Sequence, residues 1–366
     1  MLFDFFPSRT LTWYLAKTFV VRILAVLLML VLVLQMLDLL SESGKILAHP
    51  GNGEGQLLHY VGLRLPQLLA RFLPYSVLLA TILTMTTFSQ NSEVVSMKAA
   101  GMSAHQILAP LLLVSVVTAG VSFAFNERVV TRATSTLKAW QAVEYGTVVP
   151  EVAGRTNVYL NDGNDVLLAT SITGQGAGTV LQGVTFYERD DAGMIVRQLR
   201  AVSARYAAPG WRLDRAAQFT VGSAEWRPLA VAPVVAPGLM LDQLVMRKVD
   251  ADAEPLWELT DSIQALKDSG RRTAELEGKW WHKISGPLAA VLMPLLGAIA
   301  GFGLARSGHV FARAVIGMAL GFAFFVIDNA ALAMGSFGGY PPLLAAWAPF
   351  VLFFLVGETV LIRTEE

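Results

Sequence analysis

A membrane-embedded bundle of six helical spans, interrupted after the third by a β-sandwich or roll, is the fold class this sequence predicts. Three observations carry it. The 366 residues are 54% hydrophobic but only 15% charged, with a mean hydropathy of +0.52, against about 25% charged in an average soluble domain. Six separate stretches reach the roughly 20 mostly apolar residues that cross a bilayer. Between the third and fourth of them the apolar period changes from helical to alternating.

The spans are expected near 12–38, 57–88, 105–125, 283–303, 311–334 and 341–362. The first is not a cleavable signal, since its apolar run from about Leu11 to Leu40 far exceeds the roughly 7–15 residues of a signal core, and no A-x-A site follows. Residues 127–255 are expected to form the inserted domain, with 1–126 and 256–366 as the helical parts on either side. Within the insert, apolar positions alternate in Asn157-Val158-Tyr159-Leu160, Val166-Leu167-Leu168-Ala169, Val180 to Tyr187 and Ile195 to Leu199. Turn signals at Asn161-Asp162-Gly163-Asn164, Asp190-Asp191-Ala192-Gly193 and Pro209-Gly210 separate these runs, which is antiparallel hairpin spacing. A polar helical return over 255–280, with Leu256, Leu259, Ile263 and Leu266 on one face, leads into the fourth span.

Orientation follows from Lys and Arg beside short loops. Arg9, Lys17 and Arg22 flank the first span, Lys98 lies in the second connector, Arg306 and Arg313 bracket the fourth, and Arg363 follows the last. The opposite loops hold Lys45 with Asp38, Glu42 and Glu54. Both termini are therefore expected in the cytoplasm and the β domain outside.

Several function classes find no support. The 28 basic and 28 acidic residues cancel, so nothing points to nucleic acid. The chain has no Cys, which excludes disulfides, thiolate metal sites and cysteine nucleophiles. No phosphate-binding loop occurs, because Gly278-Lys279 has Thr273 where the first Gly belongs. The His residues at 49, 59, 105, 282 and 309 lack metal-ligand spacing. Gly335-Ser336-Phe337-Gly338 precedes Tyr340-Pro341-Pro342 and reads as an external turn, not a serine nucleophile.

Charged residues inside apolar segments are costly and usually face a bundle interior or a wet cavity. Arg64 and Arg71 are two helical turns apart on one face of the second span. Arg64 is near enough to the outer interface to snorkel, whereas for Arg71 a cavity wall and an internal ion pair both fit. Asp328 with Asn329 reads as a helix–helix polar contact in the fifth span. Pro66 and Pro74 should bend the second span. Gly297, Gly301, Gly303, Gly317 and Gly321 should let helices approach closely. The connector over about 90–103, with Val94, Val95 and Met97 apolar between Glu93 and Lys98, fits a short helix at the membrane surface, either a plain loop element or a docking element.

Together these residues resemble the LptF/LptG family of lipopolysaccharide export permeases, over essentially the whole chain. Ser92-Glu93-Val94-Val95-Ser96-Met97-Lys98-Ala99-Ala100-Gly101 resembles the family's coupling helix. Trp281-His282-Lys283-Ile284-Ser285-Gly286-Pro287-Leu288, Phe325-Val326-Ile327-Asp328-Asn329, Tyr340-Pro341-Pro342 and Tyr14-Leu15-Ala16-Lys17-Thr18 resemble the LptG branch. The resemblance implies a Gram-negative inner-membrane protein whose insert is a periplasmic β-jellyroll. It implies pairing with an LptF-like sister permease around a cavity open to the outer leaflet, and docking of an LptB-like ATPase dimer on the coupling helices. Glu93 would enter the ATPase groove with Val94 and Met97 as packing contacts, and Ala99 and Gly101 complete the pattern. A single-span LptC-like protein would insert at the first span. No cofactor is expected in this chain, ATP and Mg belonging to the ATPase.

LptG members often carry Lys in the outer half of the first span, facing lipid A phosphates. Here Gln35-Met36-Leu37-Asp38-Leu39-Leu40-Ser41-Glu42 stands there. Gln35, Asp38, Lys45, Arg64, Arg71 and Asp328 are therefore the candidate cavity residues, with Arg64, Arg71 and Lys45 replacing the missing charge. Lifting acyl chains from a bilayer costs about 0.8 kcal/mol per CH₂, so a lipid with several chains needs on the order of tens of kcal/mol and an external motor. A permease for another lipid or lipoprotein, a membrane sensor or scaffold with a ligand-binding β domain, and, last, an intramembrane enzyme are the competing functions.

Overall fold

A computed structural model describes residues 6–146, 155–173, 178–190, 193–220, 225–239, 249–268, 271–298, 302 and 310–363. The chain divides into two compact units, Met1–Gly146 with Asp250–Glu366, and Thr147–Val249. The sequence placed 127–146 in the insert. These residues are helical as far as Ala142 and belong to the first unit, because Leu137 and Trp140 pack at helical spacing on Ile46 and Tyr60 of that same unit.

The helical unit contains α1 (Arg9–Ala48), α2 (Glu54–Gln90), α3 (Glu93–Ala99), α4 (Ala104–Phe125), a π-helical turn (Asn126–Val130), α5 (Thr131–Ala142), α6 (Leu256–Asp268), α7 (Ala274–Gly297), α8 (Val310–Ser336) and α9 (Pro342–Arg363). Ser8 caps α1, its Oγ accepting the Leu11 N–H. Ser103 and Gln106 form a capping box at α4, each side chain meeting the other's backbone N–H. Pro66 and Pro74 lie inside α2.

Five helices among the described residues are long and apolar enough to cross a membrane: Arg9–Ala48, Glu54–Gln90, Ala104–Ala142, Phe311–Ser336 and Pro342–Arg363. The helix at the fourth expected span, α7, is not one of them. Its first half carries Glu275, Glu277, Lys279 and Lys283, and its second half uses Gly, Pro and Ala among its leucines. It is also the helix the others enclose. Ala289, Ala290, Leu292, Met293, Leu295 and Leu296 are buried, and α7 packs on α2, α4, α8 and α9. A helix sheathed by protein needs small residues for close approach more than it needs hydropathy.

Gly297 shows that approach. A Cβ there would stand 2.8 Å from Thr81 Cγ2 of α2 and 3.4 Å from the Leu78 carbonyl. Gly317 and Gly321 of α8 likewise face Leu296 of α7 and Leu78 of α2, while Gly301, Gly303 and Arg306 lie outside the described residues. Around this centre the bundle core gathers Leu15, Phe19, Val77, Met85, Leu108, Leu111 and Phe353. By contrast, α1 buries a narrow stripe, Leu15, Phe19, Ile23, Val26, Leu27, Val31, Gln35 and Ile46, and exposes Leu24, Leu28, Leu32 and Met36.

One ion pair is sealed inside this unit. Lys283 Nζ of α7 lies 3.0 Å from Glu127 Oε1 in the π turn, with the two side chains 8% and 5% exposed. The other carboxylate oxygen accepts the backbone N–H of Leu256, the first residue of α6.

The second unit is an antiparallel sheet of β1 (Arg155–Asp162), β2 (Asp165–Thr173), β3 (Val180–Arg189), β4 (Ile195–Ala207), β5 (Gly210–Asp214), β6 (Ala217–Thr220), β7 (Arg227–Pro228) and β8 (Val234–Val235). The described order is β1-β2-β3-β4-β5-β8, with β6 pairing β4 and β7 pairing β6. The four alternating runs fall in β1 to β4. Gly183 explains a change of parity in β3, where Leu181 is buried and then Val184 and Phe186. Gly183 takes φ +60°, and a Cβ there would collide with Thr170, so only glycine fits while the alternation shifts by one residue. Trp211, fully buried, donates its indole N–H to the Leu239 carbonyl at 3.0 Å.

Candidate functional site

The first candidate region is the connector. Ser92 enters α3 in a left-handed conformation, φ 61°, and Gly101 leaves it at φ 84°, so the seven-residue helix is turned sharply at both ends. Val94 and Met97, three apart on one face, are 4% and 8% exposed and belong to the bundle's own core. The apolar side of α3 is therefore turned inward, and Val95, 46% exposed, stands on the outward face with Ser96, Ala99 and Gly101. Lys98 Nζ lies 5.4 Å from the Phe302 ring centroid. Glu93 is half-buried and accepts the Tyr14 hydroxyl at 3.1 Å. The Tyr14 ring in turn lies 5.8 Å from Phe88, and Arg22 donates to the Leu83 carbonyl at 3.0 Å. Thus α1 is tied directly to the start of α3. The sequence reading missed Tyr14 as a partner, since 79 residues separate it from Glu93.

The second region is at the far ends of α1 and α2. Arg64 grips Asp38 with two nitrogens, Nε at 3.1 Å and Nη2 at 3.0 Å, and its Nη1 donates to Gln67 at 2.7 Å. Tyr60, one turn earlier on α2, donates to the same Asp38 carboxylate at 2.6 Å. Lys45 is paired with Glu42 at 2.8 Å, and Glu42 also accepts the Tyr145 hydroxyl at 2.7 Å. Arg64 and Lys45, expected to offer charge to a lipid, are thus neutralised within the chain. Tyr60 was legible, lying four residues before Arg64 on the same face; Tyr145 was not.

Deeper in the bundle, Gln35 is buried with neither amide atom hydrogen-bonded. Asp328, 7% exposed, faces His282 of α7 at 3.8 Å, which is the helix–helix polar contact its position implied. Tyr75 of α2 stacks on Phe325, one turn before Asp328, with ring centroids 3.8 Å apart. Arg71 is exposed, two turns from Arg64, and no hydrogen bond or ion pair joins it to the described residues. Ser336 ends α8 and donates its hydroxyl back to the Ala333 carbonyl at 2.7 Å. Separately, α1, α2 and α4 border an open apolar cavity of about 1460 Å³, walled by Ile23, Leu24, Leu27, Leu73, Leu113 and Val117. A space of this size and lining suits hydrocarbon chains better than a polar solute.

The family model for the lipopolysaccharide export system permease LptF/LptG matches residues 13–363. Among characterised relatives, the lipopolysaccharide export system permease protein LptG of Escherichia coli K12 is 26% identical over 372 aligned positions, covering 98% of this chain and 99% of the relative. The protein of the same description from Haemophilus influenzae is 23% identical over 375 positions, with the same coverage.

Proposed function

The chain belongs to the LptF/LptG permease family, and from that premise we propose that it is the LptG-type subunit of a lipopolysaccharide exporter in a Gram-negative inner membrane. The observation that carries the proposal is the end-to-end match over residues 13–363, joined to a bundle whose first helix is mostly exposed and borders a large apolar cavity. The subunit pairs with an LptF-like permease, and an LptB-like ATPase dimer supplies ATP and Mg²⁺ chemistry that this chain does not perform. An LptC-like single-span protein joins the assembly. In this reading α7 is the fourth of six spans in chain order, both termini and α3 face the cytoplasm, and the β unit is a periplasmic jellyroll that receives the lipid.

Within that reading the parts of the connector divide their work. Val94 and Met97 anchor α3 to the bundle, while Val95, Ala99 and Gly101 meet the ATPase, with Glu93 at the edge held by Tyr14. The exposed aliphatic face of α1 supplies a surface to acyl chains as they leave the bilayer. Arg71, exposed at membrane depth, meets an anionic group of the lipid, whereas Asp38 with Arg64 and Glu42 with Lys45 brace the outer ends of α1 and α2.

The test is reconstitution in proteoliposomes with the sister permease, the ATPase and lipopolysaccharide, measuring ATP-dependent release to a soluble acceptor. Release that is lost with Glu93→Lys, together with loss of bound ATPase, supports the reading. Isolation of a homo-oligomer without an ATPase, and no ATP-dependent release, would sink it and favour a sensor or scaffold.

A further inference from the structure

We propose that Glu127 is the clasp of a joint that opens and closes during each transport cycle, holding the arm that leaves for the β unit against the segment that returns from it. The inference rests on the transport reading above. It begins with the backbone. The continuous helix from Ala104 to Ala142 is interrupted at Asn126–Val130 by a π turn, a form that occurs mostly as isolated bulges at functional sites. Such a turn carries one residue more than the α path, so the helix beyond it can change phase without the chain breaking.

Within this turn Val130 is buried, and so is a carboxylate, Glu127, that has specific polar partners. Glu127 uses both carboxylate oxygens, one on Lys283 of α7 at 3.0 Å and one on the Leu256 N–H that opens α6. Eleven residues further along, Lys138 of α5 is paired with Asp250 of the returning chain. The apolar side chains of α5 go elsewhere, Leu137 and Trp140 to Ile46 and Tyr60, and its helical packing partner is α2. Two ion pairs therefore fasten the arm to the return. A buried ion pair is often replaceable by apolar residues without loss of stability, and its best-attested use is to specify one arrangement among several. A fastening of this kind defines the closed state sharply and is released as a unit.

The clasp also lies at the end of a direct lever. Ala100 to Ser103 are all that separate α3 from α4, and the 22 residues of α4 form a rod about 33 Å long that ends at the π turn. A tilt of α3 is thereby delivered to Glu127. The geometry makes Glu127 and Lys283 positioning residues for transport, acting on the arm and not on the lipid.

The test clamps the joint without touching the clasp. Lys138→Cys with Asp250→Cys, placed at the partly exposed outer pair in a chain that has no other Cys, is bridged with a short bis-methanethiosulfonate reagent in the full reconstituted complex. Each single cysteine treated in the same way is the control. The expected result is at least a tenfold fall in lipid release per minute on bridging, with ATP hydrolysis continuing and release restored by reductant. Bridged complex that releases lipid at the unbridged rate overturns the proposal. So does an equal fall in either single-cysteine control, because the loss would then come from modifying a side chain and not from clamping the joint. If the unsubstituted complex shows no ATP-dependent release at all, the transport reading fails and not the joint.

Discussion

Burial on α3 makes opposite forecasts for two residues of one short helix. Met97 is 8% exposed and packed in the bundle core, so Met97→Ala removes buried methylenes and leaves a cavity, at about 2–5 kcal/mol. Ala99, two residues on, is exposed, and Ala99→Arg adds bulk and charge on the outward face where surface changes usually stay within about 0.5 kcal/mol. Thermal unfolding of the purified chain should therefore fall for Met97→Ala by roughly 4–12 °C, taking about 2–4 °C per kcal/mol for the lower part of that range, and hold for Ala99→Arg. Retention of the ATPase through size-exclusion chromatography should show the reverse order, strongly reduced by Ala99→Arg and kept by Met97→Ala at a temperature where it remains folded. If Met97→Ala left unfolding unchanged and released the ATPase, the inward orientation of the Val94 and Met97 face would be wrong and the docking surface would have to be assigned to that face.

Two further outcomes follow from the ion pairs. Asp38→Ala strands the half-buried Arg64 guanidinium and the Tyr60 hydroxyl and should cost about 1–3 kcal/mol; adding Arg64→Ala should recover part of that in a double-mutant cycle, and strict additivity of the two would count against the pairing. At Asp250, burial raises the carboxyl pKa, but the hydrogen bonds from Lys138 and from the Asp252 N–H outweigh it and hold the group below its usual range. A carboxyl depressed in the folded state stabilises above its unfolded pKa of about 3.9, and that contribution is lost as pH falls through the lower folded value. Acid unfolding below about pH 4 should therefore be shallower for Asp250→Asn than for the parent, as followed by intrinsic fluorescence, and an identical acid limb would remove Asp250 from the balance.

Much of this architecture was open to reading from one chain because its signals are local. The apolar runs behind α1, α2, α4, α8 and α9 exceed what any soluble helix needs, and the alternation in β1 to β4 with Gly163 and Pro209-Gly210 at the turns is a property of neighbours in sequence. The short helix of the connector, Glu93–Ala99, was legible in the same local way. The boundary of the insert was less legible, since Thr131–Ala142 is polar enough to pass for part of a soluble domain until its Leu137 and Trp140 find Ile46 and Tyr60.

By itself, then, the sequence determined the class, the family and the places where charge interrupts hydrocarbon, because composition and period need no partner to be read. Tertiary structure alone decided which of those charges are free. It joined Arg64 to Asp38, Glu93 to Tyr14 and Lys283 to Glu127 across 26 to 156 residues of chain, and left Arg71 exposed. It also turned Val94 and Met97 inward and Val95 outward. The reason is physical: whether a buried ion is a cost, a brace or a binding group depends on what faces it across 3 Å of space, and that distance is set by the packing of helices whose order along the chain says nothing about it.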